Sequence, residues 1–473
     1  MARGELRRIA AGVYTTDVQT DPTLVTKREW HTIVGGMIPN AVITDRSAPT
    51  GGPVDDILYV AHERRDREIS LPGLTVLARR GAGPTDGDVA LPGGLFQASK
   101  GRALAENTRE SRSRLGRKRR TLDEIELGDW IDRICQIDGA AKLSRYRDDA
   151  ERLGALVGAP EDGVALLSRI LGIALGTQQM DTGSKALTAR QARLPYEQGR
   201  LALFGKLIEA LRESAPQNRP VHDPNSDAYR HLPFFEAYFS NFIEGTEFEL
   251  DEAVNVVYKG KQIAGRSDDS HDLTGTYRVV SDLDEMSTTA TSSTDFLQLL
   301  RSRHATILAG RPEKSPGQFK ETANRAGSSS FVLPGYVPGT LSAGWTRLVE
   351  LDTPFERATY MMFLVSEVHP FDDGNGRVSR VMMNAELVSA HQSRIIIPTV
   401  YRDDYVGALR LLTRQEDPSV LIKALRYAQD YASQIIFRDL NDAAAQLRRT
   451  NAFNEPNSDE RLVLPKLSRR AEG

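Results

Sequence analysis

The loop from His369 to Arg380 holds residue types whose spacing could carry out chemistry on phosphate groups. His369 can serve as a general base near neutral pH. Asp373 is a hard oxygen ligand of the kind that Mg²⁺ takes, one or two carboxylates at a time. Gly374 and Gly376 allow close backbone approach, so that successive N–H groups can converge on an anion at the start of the following helix.

Two arginines complete this set. Arg377 and Arg380 are three residues apart and therefore lie on one face of the predicted helix, near its N-terminus. Guanidinium groups suit phosphate oxygens because they can donate two parallel hydrogen bonds. A base, a metal carboxylate, an anion nest and two arginines are the parts of phosphoryl or nucleotidyl transfer. The plainer interpretation is a polar loop that only caps a helix.

The elements around this loop are predicted to be helical. Apolar spacing indicates helices over 353–368 and from about 376 to 390, on either side of the loop. A strongly apolar helix is predicted over 234–243 and ends at Gly245 as a C-cap. Residues 310–342 are rich in Gly, Pro and Ser, with a short β-like piece at 330–333.

The rest of the chain separates into regions that differ in the spacing of their apolar residues and of their Gly and Pro breaks. Residues 1–115 alternate short apolar runs with Gly and Pro breaks, which indicates a β-rich or mixed α/β domain. We predict a mainly α protein in four parts: an N-terminal α/β or β-rich domain at 1–115, a helical connector at 116–215, a helical catalytic domain at 216–446 and a flexible tail at 447–473.

Composition narrows the class of protein. No run of about 18 apolar residues is present, so no membrane span is predicted. The single cysteine, Cys135, excludes an internal disulfide and a cysteine-based metal cluster, and we expect a cytoplasmic protein. Residues 1–120 hold 20 Lys and Arg against 14 Asp and Glu, a net +6 in a chain whose overall charge is −3. Much of this excess lies in Arg109–Arg120, which is typical of a solvated linker or of a nucleic-acid contact.

The loop resembles the signature of Fic proteins at every defined position. The matching positions are His369, Phe371, Asp373, Gly374, Asn375, Arg377 and Arg380. The resemblance spans about residues 200–445 and implies an all-helical core with a small β-hairpin flap. It also implies a protein adenylyltransferase, which transfers AMP from ATP to a Tyr, Thr or Ser hydroxyl of a target protein.

The resemblance further implies roles for the site residues. His369 would take the proton of the target hydroxyl, Asp373 would hold Mg²⁺ between the α- and β-phosphates, and Phe371 would anchor the loop in the core. The implied nucleotide-binding residues are Gly374, Asn375, Gly376, Arg377 and Arg380 at the phosphates, with Asn384 and Tyr405 facing adenine. Ser329, Ser330 and Phe331 of the flap, near Ser328, would hold the target by strand addition. Lys320 stands where the family often has Arg.

A second stretch, Ser240–Gly245, resembles the inhibitory motif of the family. Ser240 and Glu244 are four apart and share a helix face. By the resemblance, Glu244 would pair with Arg380 at the position of the γ-phosphate, so that ATP binds in an unproductive pose. We therefore expect an autoinhibited enzyme, although a helix ending in Glu-Gly is by itself common.

Two alternatives stay open at this level. A Fic-like protein can transfer another phosphate-containing group, such as phosphocholine, UMP or the γ-phosphate, although the presence of Gly376 and Arg380 favours AMP. The opening Gly4–Tyr14 resembles the wing hairpin of winged-helix antitoxins from abortive-infection systems, which suggests a DNA-binding regulator whose partner is nucleic acid bound through residues 1–120. A homo-oligomer is also left open.

Overall fold

The computed structural model describes residues 6–64, 66–112, 118–327 and 329–465. The chain forms two compact units, residues 1–193 and 194–473. None of the helices in the described ranges has an apolar stretch long enough to cross a membrane.

The first unit combines short strands with helices, as the alternation of apolar runs and breaks predicts. Its strands are β1 (Arg7–Ala10), β2 (Val13–Thr15), β3 (Val42–Ile43), β4 (Ile57–His62), β5 (Arg67–Leu71), β6 (Leu74–Arg80), β7 (Val89–Ala90) and β8 (Phe96–Gln97). β1 and β2 pair as an antiparallel hairpin, while the other six form a sheet in the order β5-β6-β4-β3-β8-β7. Within that sheet β4 with β6 and β3 with β8 run parallel.

Six helices belong to the same unit. They are α1 (Pro22–Met37), α2 (Lys100–Glu106), α3 (Glu124–Asp138), α4 (Ala140–Val157), α5 (Glu161–Ala174) and α6 (Lys185–Gln191). Helix α3 begins with a capping box between Asp123 and Glu126, and buried Cys135 lies on its apolar face.

Some of the basic residues of residues 1–120 lie inside this unit. Buried Arg79 donates to Asp45 at 2.9 Å and to Glu106 at 2.8 Å. Arg102, also buried, donates to Asp88 at 2.6 Å. These guanidinium groups neutralise interior carboxylates and are not part of a basic surface. Residues 1–5 of the wing-like opening and residues 113–117 of the basic stretch lie outside the described residues.

The second unit is helical. Its helices are α7 (Gln198–Glu213), α8 (Leu232–Ile243), α9 (Leu250–Lys259), α10 (Ser267–Ser281), α11 (Leu283–Ser287), α12 (Ser293–Ile307), α13 (Val337–Trp345), α14 (Pro354–Val368), α15 (Asn375–Ser389), α16 (Arg402–Gln415), α17 (Ser419–Ala432) and α18 (Leu440–Arg449). Its only strands within the described ranges, β9 (Arg325–Ala326) and β10 (Ser329–Ser330), pair antiparallel as a small hairpin. The mainly helical fold with a β-containing N-terminal region is confirmed.

The helices on either side of the loop end where the sequence predicts. Helix α14 starts at a capping box of Thr353 and Glu356 with Pro354 in its first turn, and is buried on nearly all sides. It ends at His369, which has the left-handed φ of 53°. Helix α15 begins after Gly374, whose φ of 72° suits a residue without a Cβ.

The predicted boundaries differ from the two compact units. The region predicted as a connector, 116–215, contributes α3 to α6 to the first unit and α7 to the second. The region predicted as a flexible tail, 447–473, begins inside α18. It continues through buried Ala452 to buried Leu462, whose carbonyl accepts a hydrogen bond from Tyr427. Residues 466–473 lie outside the described residues.

Candidate active site

His369 lies at the end of α14 with its imidazole covered by the flap. Its backbone N–H donates to Val365 at 3.0 Å, and its Nδ1 lies 3.4 Å from the carbonyl of Ser366. The ring of Phe331 stacks on it, with centroids 3.8 Å apart and planes 7° apart. Burial, followed by the nearby charge of Lys320, lowers the pKa of His369 to about 4. The imidazole is therefore neutral at pH 7, as a general base must be.

The loop after His369 is braced by Asn375. Its side-chain amide accepts from the N–H of Phe371 and donates to the carbonyl of Phe371, both at 2.9 Å. Asn324 donates to the same carbonyl at 2.9 Å. The amide of Asn375 thus closes the loop on itself, which leaves only its backbone N–H to face a phosphate. Phe371 is fully buried, as the resemblance implies.

His304, which the sequence did not single out, supports the same loop from α12. Its ring stacks on Phe371 with centroids 3.6 Å apart. The N–H of Gly317 donates to Nδ1 at 2.9 Å, so Nε2 carries the proton and donates to the carbonyl of Asp373, also at 2.9 Å. Burial lowers the pKa of His304 to about 4.

Asp373 belongs to a closed ring of four charged side chains. Its Oδ2 lies 3.3 Å from Arg311 and its Oδ1 lies 3.5 Å from Arg377. Both arginines also contact the same oxygen of Asp272, a buried residue of α10. Asp272 and Arg311 were not found from the sequence, because each lies more than fifty residues before the loop and shares no local pattern with it.

This ring of charges affects the roles predicted for Arg377 and Asp373. Arg377 is buried against Asp272 and does not line the cavity described below, so its guanidinium orients Asp373 in this structure. Asp373 fits Mg²⁺ only in combination with other ligands. No group of three His, Cys, Asp or Glu residues in the described chain could hold a metal ion, whereas one carboxylate together with waters and substrate phosphates is a usual Mg²⁺ site. The Oδ2 atom is the freer oxygen, since Oδ1 also accepts from Gly374 at 2.7 Å.

Arg380 is held by the predicted inhibitory motif. Its Nη2 lies 2.8 Å from the Glu244 carboxylate and donates at 2.8 Å to the carbonyl of Ser240. Its Nε donates to the Ser240 hydroxyl at 3.0 Å. Arg380 is buried, whereas the Glu244 side chain is 28% exposed, at the C-terminus of α8.

The Glu244 carboxylate also lies against the start of α15. A Cβ added to Gly376 would come within 2.0 Å of Glu244 Oε1. A helix N-terminus favours negative charge, so this carboxylate lies where an anionic ligand would bind. Four residues with different predicted roles line one cavity: the base His369, the phosphate-binding Gly376 and Arg380, and the inhibitory Glu244.

A cavity of about 180 Å³ opens at this point. Beyond the anion end it is lined mainly by apolar and aromatic side chains, including Phe363, Tyr405 and Leu409. Tyr405 therefore lies at the cavity, and its contact with adenine stays a prediction. Asn384 does not lie there: its amide is buried and bonds with Glu236 and Ile395, and it is not part of the lining.

The flap closes the cavity from one side. Ser329 accepts from Arg414 at 3.1 Å, and the carbonyl of Ser330 accepts from Arg200 at 2.5 Å. Phe331 covers His369, while Ser328 lies outside the described residues. These contacts place the flap over the base but do not test the predicted binding of a target strand.

Lys320 lies beneath the flap and is buried. It donates to Asn324 at 2.6 Å and lies 5.9 Å from the ring centre of Phe331. Burial lowers its pKa to about 8. Lys320 therefore supports the loop–flap contact with a charge that is easily lost.

The helical unit thus brings an imidazole, the start of helix α15 and a flap together at one cavity. Residues 294–387 match the model of the Fic/DOC family, so this part of the helical unit is similar to Fic domains. A protein adenylyltransferase Fic from Culex quinquefasciatus is 28% identical over 244 residues, or 48% of this chain and 46% of the relative. The corresponding protein from Drosophila erecta is 27% identical over 247 residues, 49% and 47% of the two chains.

The chain thus spans about half the length of these curated relatives. Among solved structures, Fic-1 (residues 134–508) from C. elegans gives a TM-score of 0.39 at 17% identity, covering 70% of this chain and 90% of that one. A Fic domain containing signaling protein from Bacteroides thetaiotaomicron gives 0.37 at 19% identity, covering 51% and 97%.

Proposed function

We propose that this protein is an autoinhibited protein adenylyltransferase that transfers AMP from ATP to a hydroxyl group of a target protein. The observation that carries the proposal is the joint placement of His369, the start of α15 and the Glu244–Arg380 pair at one cavity. Relatives similar to this part of the chain are named adenylyltransferases.

In the proposed reaction, the neutral imidazole of His369 accepts the proton of the target hydroxyl. The hydroxyl oxygen then forms a bond to the α-phosphorus, and the bond from that phosphorus to the β-phosphate oxygen breaks, so that pyrophosphate leaves. The backbone N–H groups of Asn375 and Gly376 and the guanidinium of Arg380 hold the phosphate oxygens. Mg²⁺, when bound at Asp373, supplies charge neutralisation between phosphates.

Inhibition follows from the position of Glu244. Its carboxylate pairs with the guanidinium of Arg380, which the outer phosphates need, and it lies against Gly376. A phosphate brought to the same place would meet a like charge at about 4 Å, which costs about 4 kcal/mol at an effective dielectric constant near 20. ATP that does enter is therefore held away from the productive pose. Removal of the Glu244 carboxylate would remove this repulsion.

The group transferred is tested by intact-mass spectrometry of the full-length Glu244→Gly variant after incubation with Mg²⁺ and either ATP, UTP or CDP-choline, alone and with a cell lysate. We expect an added mass equal to one AMP moiety, from ATP only. The double variant that also carries His369→Ala should bind ATP and add no mass. Addition of a phosphate, UMP or phosphocholine would replace AMP transfer with another transfer reaction. Mass addition by the double variant would exclude His369 as the base.

A further inference from the structure

The end of the cavity opposite the phosphate site holds polar side chains to which no role has yet been assigned. If phosphates occupy the region of Gly376 and Arg380, the nucleoside must extend past Phe363 and Leu409 into the rest of the cavity. The inference below therefore rests on the proposed function. Apart from the exposed Arg410 and from Tyr405, whose hydroxyl donates to Met362, the polar side chains on the α14 and α16 walls there are Ser366, Glu367 and Thr413. Glu367 and Thr413 are bonded to each other, whereas Ser366 lies beside the base.

Glu367 is a buried, oriented carboxylate. Its side chain is 3% exposed, and its two oxygens have different partners. Oε1 pairs with Arg200 of α7, and Oε2 accepts the hydroxyl of Thr413 at 2.7 Å. Both oxygens accept from donors, which is the arrangement of an ionised carboxylate, and the two contacts fix its orientation.

The wall formed by these two residues can only accept hydrogen bonds. An ionised carboxylate has no proton to donate. The single hydroxyl proton of Thr413 points to either Glu367 Oε2 at 2.7 Å or the carbonyl of Leu409 at 3.0 Å, and both are acceptors. The remaining lone pairs of Glu367 and Thr413 are therefore the groups that a base would meet. A base that presents an amino group satisfies them, whereas a carbonyl oxygen at the same position faces the carboxylate as a second acceptor.

We propose that Glu367 is a specificity-determining residue that selects a 6-aminopurine over a 6-oxopurine nucleotide. Arg200 is the corresponding positioning residue, because it holds Glu367 and also donates to the flap carbonyl of Ser330 at 2.5 Å. One guanidinium thus fixes two walls of the base site. Arg410 is exposed and hydrated, so its contribution to discrimination is small.

The test compares ATP with inosine triphosphate, which differ only in the 6-amino and 6-oxo groups and in the proton at N1. Binding of each to full-length Glu244→Gly is measured by calorimetry with Mg²⁺ present. We expect ATP to bind at least about 10-fold more tightly, since a hydrogen bond to a charged acceptor that is lost on burial has an effect of this order. Adding Glu367→Gln supplies an amide donor and should bring the ratio of the two dissociation constants toward one. The matched control Glu416→Gln, at an exposed glutamate of the loop after α16 outside the cavity, should leave the ratio unchanged.

Equal binding of the two nucleotides to the parent variant overturns the proposal, and this arm does not depend on whether Glu367→Gln folds. An unchanged ratio in a Glu367→Gln variant with an unaltered melting temperature overturns it as well. Transfer of AMP from ATP and of IMP from inosine triphosphate at equal rates would contradict base selection and leave the proposed transfer function intact. Tighter binding of ATP without any transfer would support base selection and contradict the proposed transfer function. If neither nucleotide binds to Glu244→Gly, both proposals fail.

Discussion

At the scale of single residues, the site depends on two neutral imidazoles, the buried His304 and the partly buried His369. His369 stacks on Phe331 and His304 stacks on Phe371, and burial lowers the pKa of each to about 4. For His369 the neutral form is the one that accepts a proton. For His304 it fixes the hydrogen bond from Nε2 to the carbonyl of Asp373, since Nδ1 is used as an acceptor.

These pKa values predict how stability changes with pH. Between pH 6.5 and about 4 the unfolded chain binds more protons than the folded one, so the free energy of unfolding falls as the pH falls through this window. Each histidine contributes a loss of about 3 kcal/mol when fully protonated, at about 1.4 kcal/mol per pKa unit. Urea unfolding at several pH values should therefore show a shallower slope for His304→Gln than for the wild type. Equal slopes would show that His304 is not buried in its neutral form.

The residues that the sequence identified and those it missed differ in a physical respect. The roles predicted for residues from His369 to Arg380 depend on residue types at a fixed local spacing, which the sequence displays directly. Asp272, Arg311 and His304 act on the same loop from other helices and segments. Nothing local distinguishes a buried aspartate or histidine from an exposed one, so only the fold reveals their roles.

At the scale of elements, the loop between α14 and α15 is rigid because Asn375 closes it. Replacement of Asn375 by Ala removes two hydrogen bonds to Phe371 and leaves a buried N–H without its partner. We expect the free energy of unfolding to fall by about 1–3 kcal/mol, measured by chemical denaturation. The control is Asp372→Ala, at an exposed residue of the same loop, with an expected effect within about 0.5 kcal/mol. Equal effects of both changes would contradict the bracing role.

Elements differ in how well the sequence predicts them. The bounds of α14 and α15 were predicted to within about one residue, because a capping box, a proline and a glycine mark them. The β-like piece expected at 330–333 was misplaced, since the hairpin consists of Arg325–Ala326 and Ser329–Ser330. Two-residue strands carry no periodicity, and their pairing depends on the helices that hold the flap.

At the scale of the whole molecule, each of the two units has its own apolar interior. The largest cluster of buried apolar residues lies entirely between Leu203 and Leu462. We therefore expect a fragment of residues 194–473 to fold cooperatively and to bind ATP when it carries Glu244→Gly, as shown by circular dichroism, thermal melting and calorimetry. Non-cooperative melting of this fragment would mean that the helical unit is not independent.

A shorter fragment, residues 194–446, is the matched control. It lacks buried Leu447, Ala452 and Leu462, whose loss removes apolar contacts from the interior at about 25 cal/mol per Å² of area exposed. We expect it to melt at a lower temperature than the longer fragment. The same melting temperature for both would support the flexible tail that the sequence suggested for residues 447–473.

The most direct test of the account is the rate of AMP incorporation from labelled ATP by wild type and Glu244→Gly, with Glu247→Gly as the control at an exposed glutamate three residues further along. Removal of the Glu244 carboxylate frees Arg380 and ends its repulsion of the outer phosphates. We predict at least a roughly 10-fold faster incorporation by Glu244→Gly, with Glu247→Gly like the wild type. Incorporation that is equal in all three, or absent from a Glu244→Gly variant that binds ATP, would contradict autoinhibition through this contact.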